Sequence, residues 1–293
     1  MRKFLGRMAG TLVCILFLFL CLNFLYYKYG EQKRLVAFEV YDAIDLAGRQ
    51  TDYSGVLLGD SVARQFFDPD DQQKNQHICF LATNQAIMPV GNYLLLEKYL
   101  KNNPQTQVVY YLARPDSLCS AMNFHYTYSY FVTPLYIAEN KEYLDNATIK
   151  EIEDKYGKIF AENNYIKWLL AKYPKLLDMY NNVCSTLDLV NGKWSKEENT
   201  DLSILYLHKI KELCDEKGIE FHVLSVPVSE DYEFDFFGLK IAMKQYEMDE
   251  LYEELLKSLE YISADEFVDG IHLNSDYVEE NKERIQKQIS MDI

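Results

Sequence analysis

Short apolar runs and longer segments with helical periodicity alternate along much of the chain. Apolar runs at residues 55–59, 78–81 and 107–112 each have the length of a buried strand. Between the second and third runs, apolar side chains from Tyr93 to Leu100 recur with helical spacing, and Asn102-Asn103-Pro104 ends that segment. This order of strand, helix and strand predicts parallel βαβ units and therefore an α/β fold.

The C-terminal third continues the same pattern. Apolar side chains on one face predict a helix that starts near residue 202, and residues 220–226 predict the next strand. We expect an acidic amphipathic helix over residues 241–260, a short strand at Tyr261-Ile262 and a last helix over residues 275–290.

Residues 120–200 depart from this pattern. An aromatic stretch from Phe124 to Tyr136 opens the segment, and helical spacing follows, with breaks near Asn163-Asn164 and Pro174. We interpret this segment as a helical subdomain inserted into one α/β domain that spans residues 53–293. Its aromatic side chains either pack inside the insertion or stack on sugar rings at the entrance of a site.

The N-terminus contains an uncharged run of 20 residues from Met8 to Tyr27. At about 1.5 Å per residue, a helix of this length spans roughly 30 Å, the thickness of a hydrocarbon core. The run predicts a signal anchor or transmembrane helix over residues 1–28 and a juxtamembrane linker over residues 29–52. A cleaved signal peptide is the main alternative, but the bulky residues 22–26 lack its small-residue cleavage site.

Charge is distributed unevenly along the chain. Residues 1–34 carry +5 and the whole chain carries −15, so the remaining residues carry −20. An acidic body argues against nucleic acid as a partner, because phosphate contacts require clusters of Lys and Arg. Between Lys28 and Arg34 there are as many basic residues as before the run, so the positive-inside rule decides little about orientation. A seven-residue tail in the cytoplasm and a large body outside it is the simpler topology, and we expect a single-pass protein of the cell membrane with that orientation.

The six cysteines are widely spaced and include no CxxC pair. Their spacing does not match that of a metal site, and we expect neither a metal ion nor another cofactor. Cys79, Cys119, Cys184 and Cys214 lie in the body, where one or two disulfides or buried free thiols are both compatible with the sequence.

A serine follows the first predicted strand in the sequence Gly59-Asp60-Ser61. The backbone N–H groups at the start of a helix lack intrahelical partners, so a nucleophile there has oxyanion donors beside it, including its own N–H. The alternative interpretation is a helix N-cap formed by Asp60 or Ser61.

Asp269 precedes His272 by three residues, just before the last predicted helix, and no other histidine has an aspartate at this offset. Such an aspartate can hold the imidazole through Nδ1 and leave Nε2 available to a serine. A surface turn with a capping Asp and an incidental His is the alternative. Because strand carboxyl ends converge in an open parallel sheet, we expect this pair to approach Ser61.

Gly59-Asp60-Ser61 and Asp269-x-x-His272 together resemble the SGNH/GDSL hydrolase superfamily, matching its nucleophile block and its last block in motif and order. The resemblance covers roughly residues 53–120 and 205–290. It implies a flavodoxin-like three-layer fold and metal-free esterase or acyl-transfer chemistry, with Ser61, Asp269 and His272 as catalytic residues.

The two middle blocks of that family depart from its pattern in this chain. Residues 81–85 lack the usual Gly but include Asn84, and residues 112–117 lack the usual Asn but include Arg114. Asn84 could donate a side-chain N–H to an oxyanion and Arg114 could add positive potential, or both could be ordinary turn and surface residues. Loss of one oxyanion donor typically costs about 10²–10³ in rate.

We therefore expect a serine esterase or O-acyltransferase that acts on acyl esters, most simply acetyl esters, of cell-envelope glycans through an acyl-Ser61 intermediate. The expected partners are an acylated glycan or small ester and, for transfer, an integral-membrane acyl donor. The envelope assignment is an analogy from family resemblance and topology. One alternative is a non-catalytic binding or assembly factor of the envelope that keeps the fold, and another is a purely structural anchored protein.

Overall fold

The computed structural model of the protein describes residues 2–29, 38–74, 77–83, 88–119 and 200–290. The predicted inserted subdomain, its aromatic stretch and Asn84 lie outside the described residues. The described residues form the α/β body and the N-terminal helix.

In the part of the chain that the structure describes, four parallel strands form the main sheet, in the spatial order β2-β1-β3-β4. The chain moves outward from β1 to β2 and then crosses back over β1 to β3, so the direction of winding reverses between β1 and β3. In open α/β sheets, sites form at such a reversal, outside the carboxyl ends of the strands. The strands are β1 (Gly55–Gly59), β2 (Ile78–Phe80), β3 (Val108–Ala113) and β4 (Glu220–Ser225).

A second, two-stranded parallel sheet continues the body beyond β4. Strand β5 (Val228–Ser229) follows β4 after two residues and pairs with β6 (Tyr261–Ile262). The Val228 N–H donates to Glu260 O at 2.9 Å and the Glu230 N–H donates to Ile262 O at 2.8 Å. The short final strand expected at Tyr261-Ile262 is therefore present, beside the continuation of β4.

Helices flank the strands in sequence, as expected of an α/β protein. The α-helices are α1 (Arg2–Tyr29), α2 (Phe38–Ala47), α3 (Ser61–Phe66), α4 (Met88–Asn102), α5 (Thr200–Lys217), α6 (Phe236–Lys244), α7 (Asp249–Ser258) and α8 (Ser275–Ser290). Short 3₁₀ helices lie at Pro69–Lys74, Pro115–Leu118 and Ala264–Glu266.

The prediction of one acidic helix over residues 241–260 is wrong. Helix α6 ends at Lys244, and Glu247 adopts φ +55°, a left-handed conformation that interrupts an α-helix. The break turns Met248 inward, where its side chain is fully buried, and its N–H bonds to Met243 O at 3.1 Å. Burial of Met248 thus divides the expected helix into α6 and α7.

Alternating side chains of the strands enter two separate hydrophobic cores, one on each face of the sheet. Val56 and Leu58 of β1 join the core that contains α2, α4, α5, α6 and α7. Leu57 joins the other core, which contains the apolar side chains of α3 and α8. Two covered faces explain why the strands read as continuous apolar runs in the sequence.

Helix α1 contains the uncharged run and exposes apolar side chains, among them Leu12, Val13 and Phe17. Among the described residues, no helix combines the length and the apolar character needed to cross a membrane. The N-terminal membrane anchor remains a prediction from the sequence.

Part of the segment predicted as a juxtamembrane linker is folded onto the body. Helix α2 packs against α4, with Ala43 and Ala47 buried in the core. Asn103, just after α4, holds the residues that follow α2 by two hydrogen bonds. Its Nδ2 donates to Arg49 O at 2.9 Å, and its Oδ1 accepts from the Thr51 N–H at 2.6 Å.

Candidate active site

Ser61 is the first residue of α3 and follows directly on the carboxyl end of β1. Asp60 is the N-cap of this helix, and its Oδ1 accepts hydrogen bonds from the N–H groups of Val62 (3.0 Å) and Ala63 (3.3 Å). The N-cap alternative therefore holds for Asp60 and leaves the Ser61 hydroxyl available for other contacts.

Gly59 allows β1, β3 and α3 to approach one another closely behind Ser61. A Cβ atom at this position would lie 2.5 Å from the Ala63 Cβ and 2.6 Å from Leu112 O. Both distances are far below van der Waals contact, and the second neighbour is backbone that cannot rotate away. The glycine of the Gly59-Asp60-Ser61 motif thus has a packing function in addition to any role in chemistry.

Residues 266–274 form a short antiparallel hairpin, here called the Asp-His hairpin. Two backbone hydrogen bonds close it, from the Val268 N–H to His272 O (2.9 Å) and from the Asn274 N–H to Glu266 O (2.8 Å). Three residues form its loop. Such loops usually need one residue in the left-handed region, and Gly270 supplies it with φ +77°.

The Asp-His hairpin brings Asp269 and His272 to Ser61, which lies 211 positions before His272 in the chain. Ser61 Oγ is 2.8 Å from His272 Nε2, and His272 Nδ1 is 2.7 Å from Asp269 Oδ2. The three side chains predicted from the sequence therefore form one continuous hydrogen-bonded chain, in the arrangement of a Ser-His-Asp triad.

The electrostatics of Asp269 favour its charged form. Hydrogen bonds from the backbone N–H and the side chain of His272 lower the pKa of this carboxyl from 3.8 to about 2, and the Ile271 N–H adds a further bond. A charged Asp269 holds the proton of the imidazole on Nδ1. Nε2 is then the basic atom that faces Ser61.

A buried polar cluster lies behind the nucleophile on the sheet side. Asn92 Nδ2 donates to the Tyr111 hydroxyl at 3.2 Å, and both residues are buried. Burial raises the pKa of Tyr111, and the nearby charge of Asp60 raises it further. Burial also raises the pKa of Asp60, against the lowering effect of its two backbone hydrogen bonds. Asp60 thus caps helix α3 and is not part of the hydrogen-bonded triad.

Arg114 follows β3 and contacts the loop of the Asp-His hairpin. Its Nη1 donates to Gly270 O at 3.3 Å, and its Nε donates to Asp116 Oδ1 at 3.0 Å. The guanidinium lies 5.2 Å from the ring centroid of Tyr232, whose hydroxyl also donates to Asp116 Oδ1 at 3.0 Å. Arg114 therefore lies beside the site, and its guanidinium is hydrogen-bonded to Gly270 of the hairpin and to Asp116. Asn84, the other predicted oxyanion residue, is not among the described residues.

Gln65 was not predicted from the sequence, although its side chain bonds to the residue after His272. A signal was present, because Gln65 lies four positions after Ser61 and so on the same face of α3. Asp116 and Tyr232 were also missed. Asp116 lies two positions after Arg114, whereas Tyr232 carries no sequence mark of its contact.

Within the described part of the chain, no group of three or more His, Cys, Asp or Glu side chains is arranged to hold a metal ion. The described cysteines, Cys14, Cys21, Cys79, Cys119 and Cys214, are free thiols, and burial raises the pKa of Cys79 to about 12. Cys184 lies outside the described residues.

Comparisons of the chain with protein-family models, with curated proteins and with solved structures find no match. The chemistry of the site is therefore argued from its geometry.

Proposed function

We propose that the protein is a serine esterase or O-acyltransferase of the SGNH/GDSL type that acts on acyl esters of cell-envelope glycans. The observation that carries this proposal is the hydrogen-bonded chain from Ser61 Oγ through His272 to Asp269, with distances of 2.8 and 2.7 Å. A surface histidine without a function is not expected to bond at once to a serine at the start of a helix and to a carboxylate held by backbone hydrogen bonds.

In the proposed first half-reaction, His272 Nε2 takes the proton of Ser61 as Oγ attacks the ester carbonyl carbon. The tetrahedral intermediate then collapses, the bond to the alcohol oxygen breaks, and the proton on Nε2 passes to that oxygen. Asp269 stabilises the imidazolium that exists between these two transfers.

In the second half-reaction, water or a sugar hydroxyl gives its proton to His272 Nε2 and attacks the acyl-Ser61 carbonyl. Collapse releases the acid or the new ester and returns the proton to Ser61 Oγ. The choice between water and sugar decides between an esterase and a transferase, and the same three side chains serve both reactions.

The oxyanion of both intermediates needs hydrogen-bond donors. The Ser61 N–H is suitably placed, because the first N–H groups of α3 lack intrahelical partners. We propose Asn84 as a second donor, and we propose that Arg114 mainly holds the Asp-His hairpin and adds positive potential at the oxyanion as a lesser effect. Arg114 is also bound to Asp116 and Gly270, which limits its contribution to oxyanion stabilisation. We therefore expect slow turnover of simple aryl esters and faster turnover where a larger acceptor supplies added binding energy.

We propose a membrane location for this chemistry, with the body outside the cytoplasm. The uncharged run from Met8 to Tyr27 supports the membrane anchor. The outside location of the body is the simpler topology for a chain with so short an N-terminal tail. A tethered site stays near glycan hydroxyls and near an integral-membrane protein that could supply the acyl group.

The first test is hydrolysis of a short-chain aryl ester by purified variants. Ser61→Ala and His272→Ala should each lower kcat by at least about 10³-fold, and a variant that carries both changes should be little worse, because the side chains act as a unit. Full activity in a folded Ser61→Ala protein would contradict catalysis at this site.

A second test identifies the natural reaction. Deletion of the gene should change the amount of ester-linked acetate on purified envelope polysaccharide, downward for a transferase and upward for an esterase. Unchanged acetate on every envelope glycan, together with fast aryl-ester turnover, would contradict the glycan assignment and indicate a general esterase.

A non-catalytic binding or assembly factor is the second candidate. The observation that favours it is the engagement of Arg114 by Asp116 and Gly270, which limits its use as an oxyanion group. A factor of this kind would bind acylated glycan equally well with Ser61 or with Ser61→Ala and would turn over neither esters nor glycans.

A further inference from the structure

Gln65 connects the helix that carries the nucleophile to the hairpin that carries the base. Its Nε2 donates to Leu273 O at 2.8 Å, and its Oε1 accepts from the Leu273 N–H at 3.1 Å. One side-chain amide therefore occupies both backbone groups of the residue that follows His272. Gln65 lies one helical turn after Ser61 on the same helix.

The pairing of the Asp-His hairpin explains why Leu273 needs such a partner. Phe267 and Leu273 are opposite each other, and the hydrogen bonds that close the hairpin come from the residues on either side of this pair. In an antiparallel ladder, the N–H and C=O groups of such a pair point away from the partner strand. The Gln65 amide takes the place that a third strand would occupy beside Leu273.

Burial makes these two hydrogen bonds costly to lose. The Leu273 side chain is only 2 % exposed and packs in the same core as Val62 and Phe66 of α3. A buried backbone N–H or C=O without a partner is strongly unfavourable, so the hairpin would have to move if the amide were removed.

We propose that Gln65 is a positioning residue that sets the distance between Ser61 Oγ and His272 Nε2. The inference rests on the proposed function, because it concerns the rate of a reaction at Ser61. Both hydrogen bonds of the Gln65 amide go to the backbone of Leu273, and through that backbone Gln65 acts on the neighbouring imidazole. Misplacement of a catalytic group by about 1 Å can lower a rate by about 10²-fold.

Removal of the amide should lower turnover more than substrate binding. For Gln65→Ala we expect kcat on an aryl ester to fall by about 10–10²-fold while KM changes by less than about 3-fold. Gln286→Ala is the matched control, because Gln286 Nε2 donates to O of Phe66, the last residue of the same helix, at the end away from Ser61. It should keep the kcat of the unaltered protein.

Gln65→Glu provides a readout that a purely structural role would not give. Its ionised carboxylate can accept from the Leu273 N–H but cannot donate to Leu273 O, whereas its protonated carboxyl can do both. The kcat of Gln65→Glu relative to the unaltered protein at the same pH should therefore rise as the pH falls from about 7 to about 5. The corresponding ratio for Gln65→Ala should stay constant.

The closing experiment measures kcat and KM for the full-length protein and the Gln65→Ala, Gln65→Glu, Gln286→Ala and Ser61→Ala variants, with unfolding curves to confirm that each is folded. A selective fall in kcat for Gln65→Ala, with partial recovery of Gln65→Glu at low pH, supports the inference. An active protein whose kcat is unchanged by Gln65→Ala, or lowered equally by Gln286→Ala, overturns it alone. Equal activity of the unaltered protein and Ser61→Ala overturns the proposed function as well.

Discussion

Asp269 is more exposed than His272, with side-chain exposures of 52 % and 38 %, yet its carboxylate is tightly held. It accepts hydrogen bonds from the N–H groups of Ile271 and His272 and from His272 Nδ1. The turn of the hairpin, and not burial, thus fixes this carboxylate. A fixed, charged partner is what the imidazole needs if Nε2 is to face Ser61 in its basic form.

The lowered pKa of Asp269 gives a pH prediction. Its folded pKa of about 2 lies below the ordinary value of 3.8, so the stability that it contributes is present above pH 4 and is lost as the pH falls towards 2. The contribution is small, because the carboxylate is half exposed and screened by solvent. The difference in unfolding free energy between the unaltered protein and Asp269→Asn should be smaller at pH 3 than at pH 5. A difference that does not change down to pH 2.5 would contradict the assigned hydrogen bonds.

Arg114 can act on the site in two ways, which predict opposite effects of its neighbour Asp116. If Arg114 holds the Asp-His hairpin through Gly270 O, then Asp116→Asn loosens the guanidinium and lowers kcat. If Arg114 mainly supplies positive potential at the oxyanion, removal of the Asp116 charge by Asp116→Asn leaves kcat unchanged or raises it.

The observed contacts of Arg114 favour the first effect. We expect kcat on an aryl ester to fall about 10-fold or more in Arg114→Ala and to fall in the same direction in Asp116→Asn. Arg114→Lys should recover little, because an ammonium cannot reproduce the forked contacts. An increase of kcat in Asp116→Asn would instead support the oxyanion role.

At the scale of elements, the position of Ser61 depends on the close approach of α3 to β1 and β3. The Gly59→Ala change would place a methyl group within 2.6 Å of Ala63 Cβ and Leu112 O. We expect it to lower the free energy of unfolding by about 1–3 kcal/mol, measured by urea denaturation. Gly48→Ala is the control: its nearest neighbour is the flexible end of Lys98 at 3.0 Å, so its cost should be below about 1 kcal/mol. Equal stability losses in the two variants would contradict the packing function of Gly59.

The strands could be predicted because both faces of the sheet are covered, and so each strand is a continuous apolar run. The sequence therefore indicated β1, β3 and β4 to within a residue or two of their observed bounds. The break between α6 and α7 was not predictable from periodicity, since it depends on the burial of Met248 against distant side chains. The Asp-His hairpin was missed because its pairing is a single bridge between Phe267 and Leu273.

The candidate site was predictable where chemistry leaves a local pattern. Gly59-Asp60-Ser61 and Asp269-x-x-His272 are each readable over a few residues, and the sheet order brings them together. Contacts between a side chain and a distant backbone leave no such pattern. The two bonds of Gln65 to Leu273 join residues 208 positions apart, and only the fold reveals them.

At the scale of the whole molecule, a basic N-terminus with an uncharged run precedes an acidic body of net charge −20. A short N-terminal tail in the cytoplasm and a large body outside it is the simpler topology for such a chain, and we predict it. Fusion of alkaline phosphatase after residue 293 should give an active enzyme, whereas a reporter that functions only in the cytoplasm should stay inactive. Activity of the cytoplasmic reporter alone would contradict the proposed location.

The most direct test of Ser61 as an activated nucleophile is labelling of the full-length protein with a fluorophosphonate probe, followed by peptide mapping. We expect one phosphonylated residue, Ser61, with no labelling in Ser61→Ala and labelling at least about 10²-fold slower in His272→Ala. A folded protein that takes up no probe, or one that is labelled equally fast in Ser61→Ala, would contradict the assignment of Ser61 as an activated nucleophile.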